Sequence, residues 1–521
     1  MSVSPVFQAN PELLAPREDG LDAADRRKRV YFEVFGCQMN KLDAELMLGS
    51  LLENGYTLTD RIEDAGAALY VTCSVRQHAE DRVLSKIGRL KARKKQDPDF
   101  VVGLLGCMAQ NQPEVTTRKY PHIDIFCGTA EFLRIPQLIE EARDSGPIMA
   151  IDLAADLKFE RRRNYGPRRF QAFVSVMRGC DMTCTFCIVP KTRGKEISRP
   201  VAEIVDECKA LVDDGVREVT LLGQTVNSYG KTLAPGRRIG LQHILHELNK
   251  LSGLDRIRFI TSHPRFMNSE LIEAMGELDS VCEYLHLPVQ SGSDPVLKRM
   301  NRVYTADHYR KVITECREKI PDFALATDFI VGFPGETDDD FEKTCALMEE
   351  MDFQGSFVFK YSPRPDTKAN DYPDDVPEPV KQERNQRLLA IQEKLSTRIY
   401  RERVGHVDEV LVEGPSRNDA RRYTGRNRRH QIVVFPLPDD IRGSDVIGKL
   451  LPVKIVDSTA LTLHGELLAT REGRVSPSTS AESSSSSCGD SSCGDGSSDG
   501  TTDGKGFIPV DGIRLIEPDR S

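Results

Sequence analysis

The strongest chemical signal in the sequence is a group of three closely spaced cysteines, Cys180, Cys184 and Cys187. They form a C-x3-C-x2-C pattern directly after a predicted strand. Three thiolates on one short loop can bind three irons of a four-iron cluster and leave the fourth iron without a protein ligand. A structural zinc site would usually need a fourth Cys or His, and this loop contains none. The spacing therefore favours an iron–sulfur cluster over zinc.

A second group of cysteines, Cys37, Cys73 and Cys107, is widely spaced but shares one local context. Each cysteine follows a predicted strand and precedes a predicted helix. In a parallel sheet such turns emerge at the same edge, where α/β proteins place their sites. We therefore expect three thiols to converge on one crevice, where they could hold a second iron–sulfur cluster. The alternative is that all three are small core residues, because free cysteines are commonly buried.

Two series of alternating strands and helices would position these cysteines. The first series has strands at 30–35, 68–72 and 100–105, which predicts an α/β fold with a parallel sheet over residues 29–147. The second series predicts a partial (β/α)6 barrel over residues 170–398. Its predicted strands are 173–177, 218–223, 256–262, 284–289, 324–333 and 357–362.

The rest of the chain has a different composition. Residues 148–169 contain a basic linker, and residues 399–472 contain short β-rich segments that predict a small antiparallel β-barrel. Residues 1–28 are polar, and residues 473–521 are a low-complexity Ser/Gly/Asp-rich tail. We expect both of these terminal segments to be disordered.

Overall composition constrains location more than it constrains partners. Hydrophobic residues make up 39% and charged residues 29%, as in ordinary soluble proteins. No signal-peptide core or bilayer-length apolar run is present, so we expect a cytoplasmic protein without a membrane partner. A net charge of −9 disfavours nucleic acid, but residues 475–521 alone carry eight acidic and three basic residues. Net charge therefore leaves the partner open.

Two basic clusters could contact nucleic acid. The first surrounds an aromatic residue on the predicted small barrel, which suits phosphate contact and base stacking, although a solvated loop fits the stretch equally. The second cluster lies in the linker, where it could bind RNA or could merely form a charged linker. The first cluster comprises Arg417, Arg421, Arg422, Tyr423, Arg426, Arg428 and Arg429. The second comprises Arg161, Arg162, Arg163, Arg168 and Arg169.

Longer motifs around the six cysteines resemble the methylthiotransferase family of the radical-SAM superfamily. GCQMN (36–40) is similar to the branch that modifies tRNA, whereas the branch that modifies a ribosomal protein usually has GCPKN. GCDMTCTFCIVPKTRGKEISRP (179–200) is similar to the tRNA branch throughout, as is YSPRPDT (361–367), where Asp366 replaces the usual Gly. The resemblance covers about residues 30–470 and implies a cluster domain, a radical-SAM barrel and a C-terminal TRAM domain, in that order.

The resemblance implies specific cofactors. Two 4Fe-4S clusters would be held by the two cysteine sets, with S-adenosyl-L-methionine on the open iron of the Cys180/Cys184/Cys187 cluster. Reductive cleavage there would give a radical that removes hydrogen from adenine carbon 2, which acid–base catalysis cannot activate. The other cluster would supply sulfur. The implied S-adenosylmethionine contacts are Phe186, Gly223, Gln224, Gln290, Asp328 and Ile330.

The resemblance also implies a substrate and partners. The substrate would be tRNA carrying N6-isopentenyladenosine beside the anticodon, with a low-potential electron donor and a monomeric enzyme. The alternatives are the same methylthiolation on a ribosomal-protein Asp or on threonylcarbamoyl-adenosine in tRNA. A non-catalytic iron–sulfur RNA-binding protein is a further alternative.

Five of the remaining cysteines have no partners at ligand spacing. We expect these five to be core residues. These are Cys127, Cys208, Cys282, Cys316 and Cys345. Cys488 and Cys493 repeat within the tail, where metal capture or disorder without function are the two interpretations.

Overall fold

The computed structural model describes residues 13–14, 22–74, 77–111, 113–153, 161, 163–233 and 239–468. The predicted disorder of the tail, and with it Cys488 and Cys493, lies outside these residues. No helix in the described ranges combines the length and the apolar character that a bilayer crossing requires.

The N-terminal domain is built on a six-stranded parallel sheet, with strand order β2-β1-β3-β4-β5-β6. The strands are β1 (Arg29–Val34), β2 (Thr57–Thr59), β3 (Ala67–Thr72), β4 (Val101–Gly106), β5 (Ile125–Cys127) and β6 (Ile148–Ala150). The helices are α1 (Ala23–Arg27), α2 (Gln38–Glu53), α3 (Gln77–Arg89), α4 (Lys91–Gln96), α5 (Cys107–Asn111), α6 (Pro113–Lys119) and α7 (Ile135–Ser145).

The sheet confirms the three predicted strands, β1, β3 and β4, and pairs them side by side. Leu69 and Val71 pack into the core on one face, while Ala68 and Tyr70 pack on the other, because strand side chains alternate. Both faces are therefore buried, as parallel sheets require. The sequence missed β2, β5 and β6, which are too short, at three residues each, to show a hydrophobic period.

Two predictions about the ends of this domain need correction. Strand β6 pairs with β5, so the sheet extends past residue 147 into the segment predicted to be linker. The predicted disorder of residues 1–28 fails for residues 22–28. There α1 is capped by Asp22, and Arg27 and Lys28 both bind Glu140, at 2.9 and 3.0 Å.

The central domain is an open barrel of parallel strands, as predicted. It contains two three-stranded parallel sheets, β11-β10-β7 and β12-β13-β14, joined by a parallel bridge between Ile257 and Val281. Strands β8 and β9 form a separate, short antiparallel pair. Its strands are β7 (Gln171–Ser175), β8 (Met177–Arg178), β9 (Ile197–Ser198), β10 (Glu218–Leu222), β11 (Arg256–Phe259), β12 (Tyr284–His286), β13 (Ala324–Val331) and β14 (Gly355–Lys360). Its helices are α8 (Val189–Arg193), α9 (Val201–Asp213), α10 (Leu241–Leu248), α11 (Ser269–Glu277), α12 (Asp294–Arg299), α13 (Ala306–Lys319), α14 (Asp338–Glu350) and α15 (Glu378–Arg401).

The C-terminal domain is a closed five-stranded barrel, with order β15-β16-β17-β19-β18. Its strands are β15 (Val407–Pro415), β16 (Arg422–Arg426), β17 (Ile432–Pro436), β18 (Leu450–Ser458) and β19 (Thr462–Leu467). Four pairings are antiparallel as predicted, but β17 and β19 pair in parallel. An odd number of strands cannot alternate in direction all the way around a ring, so closure requires a parallel pair.

Candidate functional site

The first cysteine set lies at the carboxyl edge of the N-terminal sheet. Cys37 directly precedes α2, Cys73 follows β3, and Cys107 is the first residue of α5. The three turns are neighbours because β1, β3 and β4 are adjacent. The fold therefore places all three cysteines at the sheet edge where the sequence predicts them.

Asn40 ties these turns together. Its side-chain oxygen lies 3.4 Å from the Cys37 amide nitrogen and 3.3 Å from the Cys37 Sγ, and its Nδ2 donates to the Thr72 carbonyl at 3.5 Å. Gly36 is required beside it, because a Cβ there would lie 2.6 Å from Asn40 Oδ1 and 2.7 Å from the Cys73 Cβ. Asn40 is wholly buried, so the GCQMN motif encodes packing of the turn as well as a thiol.

The thiols of this set have unequal acidities. A hydrogen bond from Cys73 lowers the pKa of Cys37 to about 6 against the opposing effect of burial, and the charge of Arg193 assists. Burial raises the pKa of Cys107, although Arg193 again opposes the shift. Arg193 ends α8, the helix that follows the second cysteine loop, and is itself fixed by Asp43 of α2 at 2.6 Å. A buried guanidinium of the central domain therefore favours the thiolate forms of Cys37 and Cys107 in the N-terminal domain.

The second cysteine set occupies the loop after β8. Cys180 and Cys184 are buried, and Cys187 is half-buried. The Cys180 Sγ lies 3.2 Å from Thr225 Oγ1 and accepts from the Met182 amide at 3.4 Å. Burial raises the pKa of Cys187 to about 12 when no metal is bound.

Arg302 faces this second set from the segment after α12. Its Nη1 donates to the Cys184 Sγ at 3.4 Å, and the residue is buried. The sequence gives no sign of Arg302 or its role, because it lies outside the motifs that carry the family resemblance. Asn40 lies within GCQMN (36–40) and Arg193 within residues 179–200, but position in the sequence does not indicate which thiol each side chain approaches.

Two of the predicted S-adenosylmethionine contacts pack together behind the cysteine loop. Phe186 and Ile330 both border a small apolar cluster that contains Phe333, whose ring stands edge-on to that of Phe186 with the centroids 6.4 Å apart. The fold therefore brings the aromatic residue of the loop to the end of β13.

Gly223 and Gln224 lie at the end of β10, as predicted. A Cβ at Gly223 would lie 2.6 Å from Met177 Cγ and 3.1 Å from Val226 Cα, so the turn has no room for a side chain. The buried Oε1 of Gln224 has no hydrogen-bond partner within the part of the chain that the structure describes. Such a buried, unsatisfied oxygen is expected where a ligand donates a hydrogen bond.

Gln290 and Asp328 meet across neighbouring strands. The Gln290 amide donates to the Asp328 carbonyl at 2.8 Å, and the Gln290 carbonyl accepts from Ile330 at 2.9 Å. Gln290 has a φ of 72°, in the left-handed region, which turns the chain at the barrel mouth. The Asp328 carboxylate lies 3.2 Å from His286 Nε2. The structure thus gathers Gln290, Asp328 and Ile330 at one strand end.

The donor chemistry of both sets fits iron–sulfur clusters. Each set offers three thiols in buried surroundings and a buried guanidinium that can offset thiolate charge. Among the described residues, no three Cys, His, Asp or Glu side chains form a group suited to one metal ion. Thiolates of a four-iron cluster bind different irons, so they need not converge on one ion.

The C-terminal basic cluster divides into two groups. Three of its arginines are held by carboxylates of this chain and fasten β16 and the following turn. These pairs are Arg426–Glu413 (2.5 Å), Arg428–Glu283 (2.7 Å) and Arg429–Asp322 (2.5 Å). Arg417 and Arg421 are exposed and Arg422 is half-buried; we call these three the outward arginines. Arg421 pairs only with the nearby surface carboxylate of Asp419, at 3.2 Å, among the residues that the structure describes. The Tyr423 ring is partly buried against the barrel core.

The linker arginines also differ from one another. Arg161 is buried, and its Nη2 pairs with Glu45 of α2 at 2.8 Å. Arg168 pairs with Glu413 at 2.9 Å, whereas Arg163 is exposed. Arg162 lies outside the described residues. Arg161 is therefore part of the contact between domains and is not available to RNA.

The five cysteines predicted to be core residues are all buried. Burial raises the pKa of Cys316 to about 12 and that of Cys345 to about 11. These values contrast with the value of about 6 for Cys37, but they do not differ from the value of about 12 for Cys187, so the pKa sets Cys37 alone apart from the core thiols.

Comparison with known families covers the three domains in order. Residues 29–128 match the uncharacterized protein family UPF0004, residues 174–348 match the Radical SAM superfamily, and residues 401–468 match the TRAM domain.

Individual relatives match nearly the whole chain. The tRNA-2-methylthio-N(6)-dimethylallyladenosine synthase of Thermoanaerobacter sp. (strain X514) is 44% identical over 450 residues, which are 85% of this chain and 94% of the relative. The protein of the same name from Ralstonia nicotianae is 42% identical over 86% of this chain and 99% of its own length. A solved radical S-adenosylmethionine methyltransferase, TsrM from Kitasatospora setae, aligns with a TM-score of 0.47 at 14% identity, covering 66% of this chain and 77% of its own.

Proposed function

Because the chain belongs to the tRNA-2-methylthio-N(6)-dimethylallyladenosine synthase family of radical-SAM enzymes, we propose that it adds a methylthio group to carbon 2 of N6-isopentenyladenosine beside the anticodon of tRNA. The dimethylallyl and isopentenyl names describe the same substituent. The observation that carries the proposal is that a side chain just after the second cysteine set in the chain lies beside the thiols of the first set. Arg193 follows the Cys180 loop in sequence and interacts electrostatically with Cys37 and Cys107.

The Cys180 loop is the site where radical chemistry would begin. Cys180, Cys184 and Cys187 would hold a 4Fe-4S cluster with S-adenosylmethionine, which when bound supplies a one-electron route to an aromatic C–H bond that acid–base catalysis cannot open. The chain's own residues fix the loop through backbone hydrogen bonds. The Thr185 amide donates to the Met300 carbonyl at 3.0 Å, and the Thr185 carbonyl accepts from Ala369 at 2.7 Å.

The first cysteine set would hold a second 4Fe-4S cluster as the source of sulfur. Three buried or half-buried thiols beside a paired guanidinium support this assignment. The pair between Arg193 and Asp43 crosses the contact between the N-terminal and radical-SAM domains, so it would keep the two clusters in a fixed relation. Sulfur delivered at one site could then meet a base activated at the other.

The outward arginines would contact the tRNA backbone. Arg421 is 91% exposed at its side chain and lies on a TRAM-domain surface. Phosphate contacts would position the tRNA, and an unpaired base could then be extruded into the barrel mouth. We further propose that the enzyme acts as a monomer and receives electrons from a low-potential donor.

The substrate is tested by nucleoside mass spectrometry. Isopentenylated tRNA is incubated anaerobically with cluster-reconstituted protein, S-adenosylmethionine and a low-potential reductant. We expect a methylthio group on the isopentenyladenosine, lost in Cys184→Ala and kept in Cys345→Ala, which replaces a core thiol. If 5′-deoxyadenosine forms but tRNA gains nothing, this substrate is rejected, and a ribosomal-protein Asp and threonylcarbamoyl-adenosine are assayed in its place.

The second cluster is tested by iron content. Two four-iron clusters predict about eight irons per chain after reconstitution. Replacing Cys37, Cys73 and Cys107 with Ala should leave about four irons and the ability to cleave S-adenosylmethionine, but no methylthiolation. About four irons in the parent protein would contradict the second cluster.

A further inference from the structure

Arg302 is a buried guanidinium that is held in one orientation. Its Nε donates to the Tyr304 hydroxyl at 3.1 Å, its Nη1 to the Cys184 Sγ at 3.4 Å, and its Nη2 to the Pro288 carbonyl at 3.0 Å. The residue is 6% exposed. Because each nitrogen has its own acceptor, the side chain cannot turn its charge away from the sulfur.

The charge of Arg302 lacks a carboxylate partner in the part of the chain that the structure describes. Within the described ranges it forms no ion pair with Asp or Glu, whereas the buried Arg193 is paired with Asp43 at 2.6 Å. Burying an unpaired charge is strongly unfavourable. Among the three acceptors of Arg302, only the Cys184 sulfur can carry a full negative charge, since burial raises the pKa of Tyr304 and keeps its hydroxyl neutral.

The residues around Arg302 clamp the cysteine loop. Asn301 Nδ2 donates to the Thr183 carbonyl at 2.9 Å and to the Thr183 hydroxyl at 2.8 Å. The Thr185 hydroxyl donates to the Arg299 carbonyl at 2.9 Å. Segment 299–302 therefore holds residues 183–185 through several neutral hydrogen bonds and one charged one. The neutral bonds can be removed separately from the charge.

We propose that Arg302 raises the reduction potential of the cluster at Cys180, Cys184 and Cys187 by fixing a positive charge and an N–H donor against the Cys184 sulfur. The inference rests on the proposed function, because it requires these thiolates to hold a cluster. A one-electron reduction makes the cluster and its thiolates more negative. A fixed positive charge in a buried site then stabilises the reduced form more than the oxidised form. Arg302 is thus a positioning residue that eases electron entry from the low-potential donor.

The test is a redox titration of a protein that holds only this cluster. In a background with Cys37, Cys73 and Cys107 replaced by Ala, the potential is measured anaerobically by electron paramagnetic resonance, with dithionite as reductant. Arg302→Gln should disfavour reduction at least tenfold, a shift of about 59 mV to lower potential for one electron. Arg302→Lys keeps the charge and should stay within about threefold of the background protein. Asn301→Ala removes clamp bonds but no charge and should leave the potential unchanged.

Several outcomes would overturn the inference. An Arg302→Gln potential within about threefold of the background value excludes a role for the charge. If Arg302→Gln retains no iron, its potential cannot be measured, and the potential of Arg302→Lys becomes the test of the inference. Retention of the cluster at the background potential supports the charge, and loss of the cluster assigns Arg302 to packing alone.

Failure of the proposed function would look different. If the triple-alanine background itself binds no iron, the assignment of the cluster to these thiols fails, and the inference fails with it. If that background does not fold, the same variants are made in the full-cysteine chain. In that chain, the cluster at Cys180, Cys184 and Cys187 is identified as the one whose paramagnetic resonance signal changes when S-adenosylmethionine is added. The potential of that cluster is then compared between variants.

Discussion

Replacing Arg161 with Met should weaken the contact between the N-terminal and radical-SAM domains while leaving tRNA binding unchanged. Arg161 pairs with Glu45 at 2.8 Å, the two side chains are 2% and 4% exposed, and Arg161 also donates to the Phe173 carbonyl at 2.8 Å. Its removal leaves the buried Glu45 carboxylate without its paired guanidinium. Breaking a buried pair in this way costs about 3–5 kcal/mol. Since about 1.4 kcal/mol is a factor of ten, local opening should become between about a hundredfold and several thousandfold more frequent.

The cost should depend on pH in a defined direction. Burial raises the pKa of Glu45, and Arg161 opposes that shift. In the Met variant the pKa of Glu45 rises further above its value in the unfolded chain. A carboxyl with a raised folded pKa loses stability as the pH rises and regains it on protonation. The deficit of the variant should therefore be smaller near about pH 6 than near about pH 8.

The assay is amide hydrogen exchange of peptides from α2, under conditions where the rate reports the opening equilibrium. Arg163→Met is the matched control, because Arg163 is exposed and should change stability by less than about 0.5 kcal/mol. Adding Glu45→Gln to Arg161→Met should recover part of the loss by removing the buried charge. A loss of less than about 1 kcal/mol in the opening free energy of α2 in Arg161→Met would refute the reasoning. A fall of about one in the salt slope of tRNA binding would instead place Arg161 on a phosphate.

Three other predictions concern the barrel and the RNA surface. Gly223→Ala should lose about 1–3 kcal/mol in urea unfolding, because its Cβ would lie 2.6 Å from Met177 Cγ; an unchanged midpoint would contradict the tight turn. Glu218→Gln should destabilise the barrel, since Arg258 is the main influence that overcomes burial and lowers the pKa of Glu218 to about 2. At pH values above 4.5, the ordinary pKa of a Glu side chain, the ionised Glu218 stabilises the parent protein, and this contribution is lost as the pH falls towards about 2. The difference in urea midpoint between the parent and Glu218→Gln should therefore shrink in acid. Replacing the outward arginines with Gln should weaken tRNA binding and reduce its salt slope by about 0.7–0.9 for each phosphate that they neutralise, and an unchanged slope would remove these residues from the interface.

The basic clusters show what sequence composition could not resolve. The sequence groups Arg421 and Arg428 in one stretch, but the fold exposes the first and pairs the second with Glu283 at 2.7 Å. The sequence alone cannot say whether Arg161 binds RNA or belongs to a charged linker. The structure buries it against Glu45, so it is not available to RNA. Net charge and local spacing carry no information about which carboxylate a guanidinium will meet, because that depends on how separate elements pack.

The sequence alone identifies the two cysteine sets and predicts the elements that carry them. Cysteine spacing and the turns after predicted strands are local properties, so the residues alone place both sets on their loops and the first set on one sheet edge. Which side chains face these cysteines depends instead on how distant elements pack. Arg193 meets Asp43 from 150 residues away, and Arg302 meets Cys184 from 118 residues away. Such partners are selected by the packing of distant elements in a buried site, where an unmatched charge is not tolerated.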